Sequence, residues 1–275
     1  MEMSNLQPSA PVGDVTRFTA VDRTNDPGFF THFLDEANEL ARTGKPLILE
    51  ALRLGPGQIV LDLGCGTGAD VIDIARLVGP DGRVVGVDVS EALISEARRR
   101  WGNSELPIEF RIGDAHALEF EDGSFDACRT ERMLMHVPDE QRALAEMVRV
   151  TRRGGRVAAF DFDWDMHIVD SVHKDTTRTV VRSFSDGLQH GWIGRQLPRL
   201  FREHGLTDVT VLPHLLFLTL EFYELLLGGH LVRVQDEGLL TPEEVERWWT
   251  DLRAKAERGE FLAALNAFIV AGTKP

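Results

Sequence analysis

Gly64, Gly66 and Gly68 follow directly on the apolar run Ile59–Leu63, and Asp88 ends a second apolar run that begins at Arg83. Glycines at such a turn tolerate positive φ and let a ligand approach the backbone without meeting a Cβ atom. An acid about twenty residues further on can accept both ribose hydroxyl protons of a nucleoside. Together these residues outline a site for an adenosine-containing cofactor. The string Gly64-Cys65-Gly66-Thr67-Gly68-Ala69 also fits the loose dinucleotide pattern G-x-G-x-x-G/A, so alone it does not separate a nicotinamide enzyme from other nucleoside binders.

Other side chains with chemical potential cluster later in the chain. Asp161, Asp163, Trp164 and Asp165 follow an apolar run, and acids alternating with an aromatic could hold a cationic amine or hydrogen-bond a polyol. They would serve equally as loop and cap residues. Arg195 could bind a substrate acid or make a structural ion pair. Phe29, Phe30 and Phe33 could belong to a lid or to the packed face of an amphipathic helix. The nine histidines are scattered, with no H-E-x-x-H, so no metal site is expected, and the absence of G-x-S-x-G argues against a serine hydrolase. Cys65 and Cys128 lack C-x-x-C spacing, which argues against a disulfide framework and a structural zinc.

The elements that must position these groups read as alternating strands and helices. Strands are expected at Ile59–Leu63, Arg83–Val87, Ile108–Ile112, Phe125–Thr130 and Arg156–Phe160, with helices over Ala69–Val78, Glu91–Trp101 and from Pro138 to about Val150, the last ended by Arg152-Arg153-Gly154-Gly155. That order predicts an α/β fold with a mostly parallel sheet and helices on both faces. Beyond it, Ser171–Leu188, Arg195–His204, Phe222–Glu237 and Pro242–Arg258 look helical, Thr207–Leu218 looks like strand, and Phe261–Thr273 should end in one. Two helical segments therefore interrupt the sheet, where they would lie over its ligand crevice.

Composition bounds the rest. The 275 residues, 43% of them hydrophobic, suffice for one large domain. A net charge of −14 disfavours nucleic-acid partners. No apolar window approaches the roughly eighteen residues of a membrane span, and no secretion signal opens the chain, so the cytoplasm is the expected location. No oligomeric state can be read from the sequence.

In Leu61-Asp62-Leu63-Gly64-Cys65-Gly66-Thr67-Gly68, Gly86-Val87-Asp88, Gly113-Asp114-Ala115, Ser124-Phe125-Asp126 and Arg152-Arg153-Gly154-Gly155-Arg156, the chain resembles the class I S-adenosylmethionine-dependent methyltransferases. The wording is closest to the branch containing ubiquinone and menaquinone biosynthesis enzymes and bacterial natural-product methyltransferases. The resemblance covers roughly 57–160 and implies a Rossmann-like seven-stranded sheet with a helical cap. Ser, Pro and Gly without periodicity predict a flexible tail over 1–16, and the remainder is expected to form a methyltransferase domain over 17–275, with a core at 46–165 and cap insertions at about 171–190 and 221–259. By the same resemblance, Gly64 and Gly66 meet the methionine half of the cofactor. Asp88, with Val89 beside it, holds the ribose, Asp114 and Ala115 hold the adenine, and Thr130 and Glu131 lie near the methionine ammonium. Glu131 departs from the small polar residue usual there: it is a partner for the ammonium or simply an acid leading a helix.

Methyl transfer from a sulfonium is an in-line displacement for which alignment and desolvation supply much of the catalysis. Where a proton must leave the nucleophile, His136 is the candidate base, with structural packing as its alternative. Asp161, Asp163, Trp164, Phe30 and Arg195 are the candidate substrate residues. The expected activity is methyl transfer to O, N or C of a small molecule, in biosynthesis of a quinone-like or secondary metabolite. The same cofactor motifs would also suit a protein that holds the cofactor as a scaffold for pericyclic or lyase chemistry, or a non-catalytic cofactor-binding partner.

Overall fold

A short 3-10 helix, Val15–Arg23, opens the computed structural model, which describes residues 13–23 and 27–275. Helices α1 (Pro27–Leu40) and α2 (Lys45–Leu52) follow, then the alternating core: β1 (Ile59–Leu63), α3 (Ala69–Val78), β2 (Arg83–Asp88), α4 (Glu91–Trp101), β3 (Ile108–Ile112), β4 (Phe125–Glu131), α5 (Glu140–Val150) and β5 (Thr151–Val169). The chain continues through α6 (Lys174–Asp186), α7 (Ile193–Glu203), β6 (Thr207–Phe217), α8 (Leu220–Asp236), α9 (Pro242–Glu257) and β7 (Ala263–Thr273). The seven strands form one sheet in the order β3-β2-β1-β4-β5-β7-β6, with β7 antiparallel to both neighbours. Val60 to Leu63 are all buried, which requires cover on both faces of the sheet. The expected α/β architecture, Rossmann-like and mostly parallel, is the one observed.

Three boundaries differ from the sequence expectation, each for a physical reason. First, α5 starts at Glu140 because Asp139 caps it, its carboxylate accepting the Arg142 amide at 2.9 Å, so Pro138 lies outside. Second, the Arg152–Gly155 turn opens β5 rather than closing α5. Gly154 takes a φ of 75° and its amide donates to the Lys274 carbonyl at 2.7 Å. Third, β5 runs on to Val169, since β7 pairs with it as far as Ile168 opposite Ala264 and Val169 opposite Ala263.

Most of the expected tail, 1–16, lies outside the described residues, but its last part does not behave as a tail. Val15 is buried, and Asp14 pairs with Arg233 of α8 at 3.1 Å. At its other end the same segment clasps the core. The Asp22 carboxylate accepts the Ser90 hydroxyl at 2.7 Å and the Glu91 and Ala92 amides at 3.0 and 3.1 Å, at the N-terminus of α4. There the exposed amides and helix dipole favour an acid.

Candidate active site

The turn after β1 is built as its glycines predict. Gly64, Gly66 and Gly68 have φ of 76°, 53° and 80°. A Cβ on Gly64 would sit 2.6 Å from the Met133 side chain, so only glycine leaves the backbone open there. The Gly66 amide donates to one oxygen of Asp88 at 2.9 Å, and the Ser90 amide to the other at 2.9 Å. Burial raises the Asp88 pKa above its ordinary value, and those two amides offset part of the rise. The glycine loop and the acid of β2 are thus one hydrogen-bonded unit.

A single cavity of about 1300 Å³, its open mouth included, runs from this unit into the cap. Gly64, Gly66, Asp88, Val89, Glu131, His136 and Trp164 line it. Val89 is 61% exposed, an apolar surface free to receive a flat ring beside Asp88. Thr130 is fully buried behind the wall, its hydroxyl without a partner. Asp114 and Ala115 follow β3 outside the cavity lining. The Asp114 carboxylate accepts the His116 amide at 2.9 Å and meets its ring Nδ1 at 2.6 Å.

Four candidate substrate residues lie away from the cavity. Asp163, fully buried, pairs through both oxygens with Arg195, whose side chain is 37% exposed away from the cavity lining. Asp161 is fully buried; its Oδ1 accepts the Phe162 amide at 3.2 Å, its Oδ2 has no hydrogen-bond partner, and the Met135 and Leu134 amides after β4 face it. Burial pushes its pKa up to about 7 against those amides. Phe30 is 1% exposed in a side cluster with Val21 and Leu93, whereas Phe33 and Phe18 face the cavity. Only Trp164 of this group reaches it, and its indole N–H is bound to Met135 sulfur at 3.1 Å.

His136 stands in the loop Met133–Val137, its ring 5.2 Å from Phe18. Burial, and secondarily Arg132, lowers its pKa to about 3, so the imidazole is neutral under ordinary conditions. A base so reluctant to hold a proton is poorly matched to general-base work near pH 7. As a neutral ring it still accepts a hydrogen bond. Its burial also predicts a pH dependence. The unfolded imidazole takes a proton near pH 6.5 while the folded one resists to about 3, so this group's contribution is present above pH 6.5 and lost as pH falls. Between pH 7 and 5 the wild type should lose about 2 kcal/mol more folding stability than His136→Gln. Equal losses of unfolding free energy between the two pH values in wild type and His136→Gln, read by urea titration, would refute this.

Sequence reading did not single out the rest of the lining. Phe162, Phe184, Leu188, Leu216, Leu218, Phe222, Leu226 and Leu265 make the deep end apolar. The α6 and α8 insertions supply Phe184, Phe222 and Leu226, but α9 does not reach the cavity and packs behind, Trp248 and Trp249 against Tyr223 of α8 at 5.9 Å each. Near the glycines, Asn38, Asp62, Asp70 and Arg132 add a polar end. The string Arg129-Thr130-Glu131-Arg132 at the end of a buried strand was the available signal for it. Among the described residues there is no group of His, Cys, Asp and Glu suited to a metal ion, and no helix long and apolar enough to cross a membrane.

Known proteins share this arrangement. A family model described as a methyltransferase domain matches residues 54–205, more than half of the chain. An uncharacterized 37.1 kDa protein in a transposon of Streptomyces fradiae is 39% identical over 245 residues, covering 86% of this chain and 69% of that one. A demethylmenaquinone methyltransferase of Halalkalibacterium halodurans is 30% identical over 189 residues, 60% of this chain and 74% of its own. The structure of Haemonchus contortus phosphoethanolamine N-methyltransferase 2 in complex with S-adenosyl-L-methionine superposes with a TM-score of 0.60 at 19% identity, covering 94% of this chain and 59% of that one. The chain belongs to the S-adenosylmethionine-dependent methyltransferases.

The residues present fit the cofactor. The glycine cradle admits a backbone-hugging ligand, Asp88 keeps acceptor capacity for ribose hydroxyls, and the buried Glu131 carboxylate has one oxygen without a hydrogen-bond partner. Bound there, the cofactor supplies an electrophilic methyl group on a sulfonium.

Proposed function

We propose that this enzyme methylates a neutral, largely apolar small molecule whose one polar group is the nucleophile, in biosynthesis of a quinone-like or secondary metabolite. The observation that carries this reading is the charge-free deep end of the cavity. Its walls are leucines and aromatics, Asp163 and Arg195 pair with each other outside the lining, and His136, the one histidine of the lining, is neutral. A cationic or phosphorylated acceptor would be buried there without a counter-charge, which is costly. A net charge of −14 likewise favours a small molecule over nucleic acid, in the cytoplasm. In this reading His136 accepts a hydrogen bond from the acceptor's hydroxyl, aligns its oxygen or adjacent carbon with the methyl group, and takes up the strongly acidic proton released as the new bond forms, passing it on to solvent at the cavity mouth. The apolar walls exclude the water that would compete for it.

The test uses methyl-labelled cofactor with two acceptor panels of matched size, one of hydroxylated naphthoquinones and polycyclic phenols, the other of amines and phosphorylated amines. S-adenosylhomocysteine is expected only with the first. Turnover confined to the second panel would overturn the assignment, and cofactor binding without turnover on either would favour a scaffold role. In the active pair, Leu188→Asp places a charge in the apolar wall. It is expected to raise the acceptor KM about tenfold or more, the cost of an unpaired buried charge, while leaving the cofactor Kd within about twofold.

A further inference from the structure

The border strand β6 departs from the pattern expected of a sheet edge. A strand with one face toward solvent should alternate apolar and polar residues, and open edges are commonly guarded by charge. Val209, Val211, Pro213, Leu215 and Phe217 instead make one face of β6 apolar along its length, and Phe217 is 64% exposed. The opposite face carries Leu216, which with its β7 partner Leu265 lines the deep end of the cavity. The apolar row is therefore the outer side of a cavity wall.

This row widens into a patch across the sheet. Phe217 lies opposite Ala264 on β7, and Ala264 opposite Ile168 on β5, so Phe217 and Ile168 flank a small residue on the same face. Leu215 lies opposite Asn266, whose amide donates to the Met166 sulfur at 3.3 Å. Asp163, also opposite Asn266, binds Arg195, and that guanidinium sits 4.5 Å over the ring of Trp192. Leu215, Met166, Ile168 and Trp192 are all exposed. Asp163 and Asp165 answer the charge of Arg195, which leaves a weakly charged island on a chain of net charge −14.

We infer that this patch is where a second copy of the chain packs, face to face across a twofold axis. Such an axis sets one surface against itself, so apolar area meets apolar area of the same extent. Two chains of net charge −14 repel, and here they touch without bringing rows of acids together. Trp, Phe, Met and Arg are the residue types enriched at such contacts. Pro213 has no N–H to offer, so side chains rather than strand addition make the joint. The exposed parts of these side chains come to several hundred Å², less than the roughly 800 Å² per partner of a standard stable interface, which fits a reversible dimer with a Kd on the order of 1–10 μM. The second copy braces the cavity wall from behind.

Sedimentation equilibrium of the full chain tests this. The average mass should rise with concentration from 30.7 kDa toward twice that value. Phe217→Glu or Ile168→Glu should raise the dimer Kd about 100-fold or more by burying an unpaired charge, while Val232→Glu, at an exposed site on α8, should leave it unchanged. Cofactor binding should be the same in all three. Raising salt from about 0.05 to 0.5 M should tighten the dimer, because it screens the mutual repulsion and spares the apolar contact. Should the glutamate variants not fold, Trp192→Ala decides: a Kd raised about tenfold supports the interface and an unchanged one rejects it. A monomer at every concentration up to about 200 μM, a dimer that salt dissolves, or one that Phe217→Glu and Ile168→Glu leave intact overturns the assignment. So does a monomer that binds phosphatidylcholine vesicles through Phe217, which would make the patch a lipid-facing surface.

Discussion

Replacing Asp88 by alanine is expected to weaken S-adenosylmethionine binding by about 100-fold or more while leaving the chain folded. Two ribose hydroxyls donating to one carboxylate make two charge-assisted bonds of about 1.5–3 kcal/mol each, and about 3 kcal/mol is already more than two powers of ten. The same substitution releases the Gly66 amide, now bound at 2.9 Å, and so loosens the turn that lets the cofactor reach the backbone. The fold should tolerate the loss because Asp88 ends its strand at the cavity edge and its surroundings can admit water in place of the carboxylate. Asp88→Asn keeps a carbonyl acceptor and should fall between the two. Calorimetric titration reads both variants. An alanine variant within threefold of wild type would remove Asp88 from the cofactor site.

That prediction rests on a part of the chain that was legible before any coordinates. The unit from β1 through Asp88 is local: a branched aliphatic run, a glycine turn and a helix pattern meet within some thirty residues, and their geometry is set by neighbours in sequence. The deep end of the cavity is not local. Phe30 and Phe33 share one helix, and the apolar period marks both as facing inward, yet only Phe33 turns to the cavity. Which one does so depends on how α1 is rotated about its axis against the short helix before it and α8, a tertiary quantity that the period does not contain. Asp161 and Asp163 looked like edge residues because β5 was expected to stop at Phe160. Pairing with β7 carries the strand further, and both acids become interior. Their partners, the amides after β4 and Arg195 on α7, are brought by the fold, and so is the Arg132–Asn38 contact between residues 94 apart. Sequence spacing of acids and aromatics suggested a polar acceptor site, whereas their placement leaves leucines and aromatics as the walls of the deep end of the cavity.

The same burial makes Arg129 the residue whose loss should destabilise the fold most. Arg129→Met is expected to cost about 3–5 kcal/mol, because removing one partner of a buried ion cluster leaves the others uncompensated. Burial alone would lower the arginine's pKa, yet Asp62, Asp70 and Glu131 raise it, so the guanidinium is held as a cation by all three. Asp70 shows the reciprocal effect: burial raises its pKa, but Arg129 and Lys45 pull it down to about 2. Without Arg129, three carboxylates would share two cations, Lys45 and Arg132, in a space closed to solvent. Methionine matches the arginine stem but not its guanidinium, so the cost combines the stranded charges with the space the guanidinium leaves. Adding Asp62→Asn deletes one of the stranded charges and should recover part of the loss, a coupling expected of side chains in contact. Urea unfolding of the single and double variants measures both numbers, with a fall in Tm of about 10 °C for the single one. A single variant within about 1 kcal/mol of wild type would mean that the cluster takes up protons or water freely. The cluster would then be too compliant to hold Glu131 and Arg132 in fixed positions at the cofactor end of the cavity.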